Sequence, residues 1–117
     1  MVIWMKCLNF RKKYKSLLKK KKKVATLRMG IKEYEKDEMV KVVAGGEEIG
    51  IARVLDVRIL RWNDIDKNDV RMEGLKRKRD LEKELKKIYG EFDDDTIFTQ
   101  IVFEIVEESK CSKNRKK

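Results

Sequence analysis

The segment Lys19-Lys20-Lys21-Lys22-Lys23-Val24-Ala25-Thr26-Leu27-Arg28 concentrates the residue types that hold an anion. Side chains alternate between the faces of a strand, so Val24, Thr26 and Arg28 share one face. A hydroxyl and a guanidinium beside a cluster of ammonium groups suit a phosphate or a carbonyl oxygen. Nucleophilic chemistry is open on narrower terms. Thr26 attacks only if a neighbouring base takes its proton, and Lys23 can take it only as a neutral amine, which burial and nearby cations favour. Lys23 and Thr26 are three residues apart, so a straight strand would put them on opposite faces. They converge only if Lys23 lies in the turn before the strand.

Other chemistries are excluded by composition. The chain has no histidine, which removes imidazole acid–base and triad mechanisms. Its two cysteines, Cys7 and Cys111, cannot complete a structural zinc site. No metal and no cofactor is therefore expected. Cys7, in an apolar segment, is expected to be a small buried hydrophobe; Cys111 is incidental to a basic tail.

The net charge of +10 is unevenly spread. Residues 1–32 hold twelve Lys and Arg and no acid, residues 33–108 fourteen against twenty-one acids, and residues 109–117 five against none. Basic ends around an acidic middle point to a polyanionic partner, nucleic acid being the commonest in a cell. The plain alternative is a solubilising lysine surface. Absence of proline, a single glutamine (Gln100) and abundant Lys, Glu and Ile fit a heat-adapted source. No apolar run reaches the roughly 18 residues of a membrane span, and the start lacks the pattern of a signal peptide. A cytoplasmic, monomeric protein is expected.

The elements that must position the cluster follow from periodicity. Val2–Phe10 reads as a first strand. Arg11 to about Lys20 reads as a basic helix with Tyr14, Leu17 and Leu18 as its apolar stripe and Asn9 as its cap. Val24–Met29 is a second strand, and 31–38 a polar connection. Met39–Val43 and a long strand from Glu48 to about Trp62 flank Gly45-Gly46, a hairpin signal, with a bend expected at Gly50. A short helix over 65–72, capped by Asn63 or Asp64, ends at Glu73-Gly74, and a second runs from about Lys76 to Tyr89. Glu91–Asp95 lacks the glycine-punctuated spacing of a calcium loop. Thr96–Val106, apolar on both faces, is expected inside the sheet, and a disordered basic tail follows. Tyr14 and Trp62 read as core or rim aromatics able to stack on a base. The class is α+β, with five or six strands forming a small mixed, partly open barrel flanked by helices.

The pattern over about residues 4–106 resembles the ASCH family, a branch of the PUA-like small β-barrels. The family's hallmark is a helix followed by Gly-x-Lys-x-x-Thr-x-Arg entering a strand. Lys23, Thr26 and Arg28 match it, whereas the leading glycine is Lys21 here. Val40-Lys41-Val42-Val43, Glu48-Ile49-Gly50-Ile51-Ala52, Met72-Glu73-Gly74-Leu75 and Ile88-Tyr89-Gly90 fall where archaeal members carry similar segments. The resemblance implies an ASCH domain over 1–107, with 108–117 as the tail.

It also implies two functions. One is RNA or nucleotide binding in a basic cleft formed by Lys23, Thr26, Arg28 and Glu73, with Lys19, Lys20, Lys21 and Lys22 and the helix from Arg11 tracking the backbone. The other is amidohydrolysis of 4-acetylcytidine-type nucleosides, as in one bacterial branch, with Lys23, Thr26 and Glu73 as the catalytic set. A basic module docking on an acidic protein is a third expectation.

Overall fold

The computed structural model describes residues 5–109. Strands β1 (Lys6–Phe10), β2 (Ala25–Met29), β3 (Met39–Ala44), β4 (Glu47–Arg61) and β5 (Ile97–Glu108) form one sheet in the order β1-β3-β4-β5-β2. β1 runs parallel to β3, and every other pairing is antiparallel. Helices α1 (Lys15–Lys19), α2 (Lys67–Met72) and α3 (Lys78–Tyr89) flank this mixed sheet, which curls into a half-barrel. The expected α+β, partly open barrel is present, with five strands.

The hairpin between β3 and β4 turns on Gly45 and Gly46 at φ 59° and 83°, the two successive positive angles that a two-residue turn requires. The irregularity expected near Gly50 is there: Val42 faces Gly50 and Val43 faces Glu48, leaving Ile49 as the extra residue. Gly50 is needed for close approach, since a Cβ would stand 2.2 Å from the Glu107 carbonyl oxygen. Two further shifts between β4 and β5 bend this long pair.

Directly opposed residues in a ladder point to the same face. β5 therefore sorts the core into two parts. Ile101 and Phe103 join Leu8, Val40, Val42, Val54 and Leu18 of α1 in one cluster. Phe98 joins Leu27, Trp62, Val70 of α2, and Leu81 and Leu85 of α3 in the other. The sheet is thus covered on both faces, and β1 and β2 are its two edges.

Several local expectations are corrected. The basic helix is a 3₁₀ turn, Lys12–Tyr14, followed by the short α1, and Asn9 does not cap it: the capping position is Arg11, without a side-chain bond. α2 is capped by Asp66 rather than Asn63 or Asp64, because Asp66 Oδ1 accepts from the Asp69 amide while Asp69 Oδ2 accepts from the Asp66 amide. Cys7 is exposed. In β1 only Leu8 is fully buried, so alternation turns Cys7 outward. β5 extends to Glu108, two residues beyond Val106, because Glu107 and Glu108 still pair with β4. It lies inside the sheet with partners on both sides. Met1–Trp4, Cys111 and the rest of the basic tail lie outside the described residues.

Candidate functional site

β2 is five residues long, and the turn before it contains Lys23. That turn resolves the parity problem. Lys23 lies outside the ladder, so its side chain can enter the space that Thr26 and Arg28 border. Lys21 sits at φ 60°, the left-handed conformation that the family's glycine would adopt without strain.

A cavity of about 300 Å³ lies where the half-barrel fails to close, between the edges β1 and β2. Lys23, Thr26, Arg28 and Glu73 all line it. Phe10 and Tyr14 form one wall, and Leu81, Leu85 and Tyr89 of α3 form another. Arg28 laces the open seam. Its Nη2 donates to the Asn9 carbonyl at 3.0 Å, its Nε donates to Thr26 Oγ1 at 3.1 Å, and the guanidinium lies 5.1 Å from the Phe10 ring centroid.

The centre is the Lys23–Glu73 pair. Both residues are buried, at 4% and 3% exposure. Lys23 Nζ donates to Glu73 Oε1 at 2.6 Å and to the Glu73 carbonyl at 3.2 Å, and it sits 4.6 Å from the Tyr14 ring centroid. Glu73 Oε2 is buried without a hydrogen-bond partner among the described residues. Burial pushes the Glu73 carboxyl above its usual range, against the pull of Lys23 and then Arg28. Tyr14 is also raised, by burial and then by the Glu84 carboxylate. No hydrogen bond joins Lys23 to Thr26.

At the rim, Glu84 of α3 receives Lys13 Nζ at 2.5 Å and Arg11 Nη1 at 3.4 Å. Burial works against the Glu84 carboxylate, but Lys13, then the Tyr14 hydroxyl and Lys87, hold it below its ordinary range. Lys15 pairs with Glu47 at 2.6 Å. Lys15 is therefore matched one to one by Glu47, and Arg11 and Lys13 share the single Glu84 carboxylate with Lys87, whereas Lys19, Lys20, Lys21 and Lys22 are exposed and have no carboxylate partner among the described residues. Those four stand outside the cavity, beside Lys23.

Trp62 is not in the cavity. It is core, stacked edge-on against Phe92 and capped by Lys78 Nζ 4.8 Å above the ring. Tyr14 does reach the cavity, but as a buried wall. Sequence reasoning missed Phe10, Glu84 and the Asp69–Gln100–Arg58 network behind Glu73. Gln100 alone carried a signal, a polar side chain in an otherwise apolar strand. Among the described residues, no group of three or more His, Cys, Asp or Glu is placed to hold a metal ion, and no helix is long and apolar enough to cross a membrane.

The five-stranded half-barrel with its three flanking helices is a PUA-like architecture. The family model of the ASCH domain matches residues 3–107, and the chain belongs to that family, a PUA-like fold often linked to RNA binding. Its fold is similar to a crystal structure from Enterococcus faecalis V583, with a TM-score of 0.72 at 16% identity over 98% of this chain and 89% of that one. The ASCH domain of Lactobacillus crispatus JV V101 gives 0.61 at 18% identity, covering 80% of this chain and 70% of that one. The ASCH protein of Zymomonas mobilis gives 0.66 at 14%, covering 87% and 68%. No curated protein matches the chain.

Proposed function

We propose that this protein binds RNA, placing one nucleotide in the seam cavity and the adjoining backbone along Lys19–Lys22. The observation that carries the reading is the juxtaposition of the two: a largely apolar cavity with Lys23 and Arg28 inside, and four lysines without a carboxylate partner on the helix end and turn leading into it. Cations engaged by Glu84 and Glu47 contribute less to such binding, which leaves the lysine run as the basic track beside the cavity. If its four lysines each engage one phosphate, log affinity falls with log salt at a slope of about −3 for single strands. A gel-shift or fluorescence titration of a single-stranded RNA at several salt concentrations tests this. Micromolar protein that shifts no RNA at low salt would remove the reading, and partner capture from extract that survives RNase would favour a protein-docking module.

One observation favours a second reading, amidohydrolysis of 4-acetylcytidine-type nucleosides. Arg28 donates to Thr26 Oγ1, polarising the hydroxyl, and Glu73 is a buried carboxyl raised toward the range of general acid–base groups. Thr26 would add to the acyl carbon with its proton passing to Lys23, once Lys23 has handed its own proton to Glu73 across their 2.6 Å hydrogen bond. The acyl–nitrogen bond would break as the departing amine takes a proton, and water would then release the acyl group from Thr26. Lys23 is bonded to Glu73 and not to Thr26, so binding is the preferred reading. Release of cytidine from 4-acetylcytidine, lost in Thr26→Ala, is the deciding assay.

A further inference from the structure

The acidic middle of the chain contains one stretch of the opposite sign. Residues 71–79 hold five Lys and Arg against a single acid, Glu73. The fold turns that acid inward onto Lys23, so what the stretch presents to solvent is cationic. Arg77 is paired with Asp80, and Lys78 lies over the Trp62 ring. Arg71, Lys76 and Arg79 are exposed and have no carboxylate partner among the described residues.

This stretch lies against the lysine turn. Val24 N donates to the Met72 carbonyl at 2.7 Å, and Lys23 Nζ donates to the Glu73 carbonyl at 3.2 Å. A Cβ on Gly74 would stand 3.6 Å from the Lys22 carbonyl oxygen. Two cationic segments some 50 residues apart are thus held side by side through their main chains. Like charges gathered in this way oppose folding. At other places exposed cations stand beside acids, as Lys15 does with Glu47, Arg53 with Glu104 and Lys86 with Glu82. Arg79 also occupies the first turn of α3, the end of a helix where the dipole disfavours a cation. A surface kept cationic at these costs fits a polyanion.

We propose that Lys19–Lys22 and residues 71–79 form one continuous track for a single RNA strand, so that the strand leaving the seam cavity crosses both segments. Rows whose backbones touch flank one phosphate chain. They are too close together to reach the two chains that border the wide minor groove of an RNA duplex. The inference rests on the RNA-binding reading. It adds the path of the strand, its single-strandedness and a footprint of about seven phosphates in place of four.

The test titrates the full chain with single-stranded RNAs of about 5 and about 12 nucleotides over a range of salt. The native protein is compared with a triple variant, Arg71→Gln with Lys76→Gln and Arg79→Gln. Glutamine keeps the helix propensity of the residues it replaces, and an unchanged denaturation midpoint shows that the variant folds. On the long RNA, log affinity should fall with log salt at a slope of about −5 for the native protein and about −3 for the variant. The short RNA, which covers one segment, should give about −3 with the native protein. A slope on the long RNA that the triple variant leaves unchanged overturns the track, and binding along Lys19–Lys22 stands. Tighter binding of a duplex than of the single strand overturns the single-stranded path. Polyglutamate binding more tightly than RNA at matched salt overturns RNA as the occupant in favour of an acidic protein. No shift of any RNA removes the RNA-binding reading, and the track with it.

Discussion

Helix α2 and its C-cap carry two buried carboxylates one turn apart, Asp69 and Glu73, and they are treated in opposite ways. Asp69, 1% exposed, is saturated: Oδ1 accepts from Gln100 Nε2 at 2.8 Å and from Arg58 Nη1 at 3.3 Å, and Oδ2 accepts from the Asp66 amide at 3.0 Å. Arg58 also donates to Gln100 Oε1 at 3.1 Å, closing the network. Glu73, 3% exposed, has one oxygen on Lys23 and the other on nothing. A satisfied buried network anchors a helix to a sheet, whereas an unpartnered carboxylate oxygen in a cavity wall costs stability. The contrast separates scaffold from site within six residues of chain.

The sharpest way to break that contrast is to unpair each side. Glu73→Leu strands the buried Lys23 ammonium and should destabilise the protein by about 3–5 kcal/mol, whereas Lys23→Met with Glu73→Leu should be near neutral or stabilising. Chemical denaturation measures both, and the double variant should fold yet lose nucleotide binding. A double variant as unstable as the single one would mean that the pair holds the fold rather than the ligand.

Asp69→Ala comes next. It leaves the Gln100 amide without its acceptor and removes half of the α2 capping box, an expected loss of about 1–3 kcal/mol. Affinity of the folded protein for RNA should change little, the reverse of the pattern at Glu73.

A smaller effect follows from pH. The Glu73 carboxyl is raised by burial, so its protonated form stabilises the folded state. That contribution is complete below the ordinary glutamate range and is lost as pH rises through the raised value. The stability advantage of the native protein over Glu73→Gln should therefore narrow with rising pH. Asp69 adds to the upward push on Glu73, so Asp69→Asn should move the transition to lower pH. Thermal melts across pH read both.

The smallest expected change is at Lys21. Its left-handed backbone is strained for a residue with a Cβ, and Lys21→Gly should gain up to about 1 kcal/mol, partly offset by the entropy of an unfolded glycine. The same variant should reduce the salt slope of RNA binding by about 0.7, the share of one phosphate on a single strand.

Much of this was legible in the chain. The Gly45-Gly46 hairpin, the bend at Gly50, the two helices ending at Gly74 and Gly90 and the strand from Ile97 all follow from periods of two and 3.6 and from glycine placement. Thr26 and Arg28 stood out by type and spacing beside the lysine run, and the ASCH resemblance singled out Lys23 within that run and added Glu73. Errors arose where tertiary context overrides local preference. Cys7 lies in an apolar run but on an edge strand with one buried face. Asn9 looked like a helix cap, yet its backbone belongs to the seam.

What the sequence determined by itself is the inventory: no imidazole, a basic beginning, a Lys-x-x-Thr-x-Arg strand entry, and the lengths that make a small half-barrel. These are set by composition and short-range periodicity. Only the tertiary structure decided which of the lysines is buried, which acid it pairs with, and which carboxylate oxygen is left over. It alone decided that Arg28 crosses an open seam to the Asn9 carbonyl. The physical reason is that pairing, desolvation and free sheet edges depend on contacts between residues as far apart as Lys23 and Glu73, which no local pattern encodes.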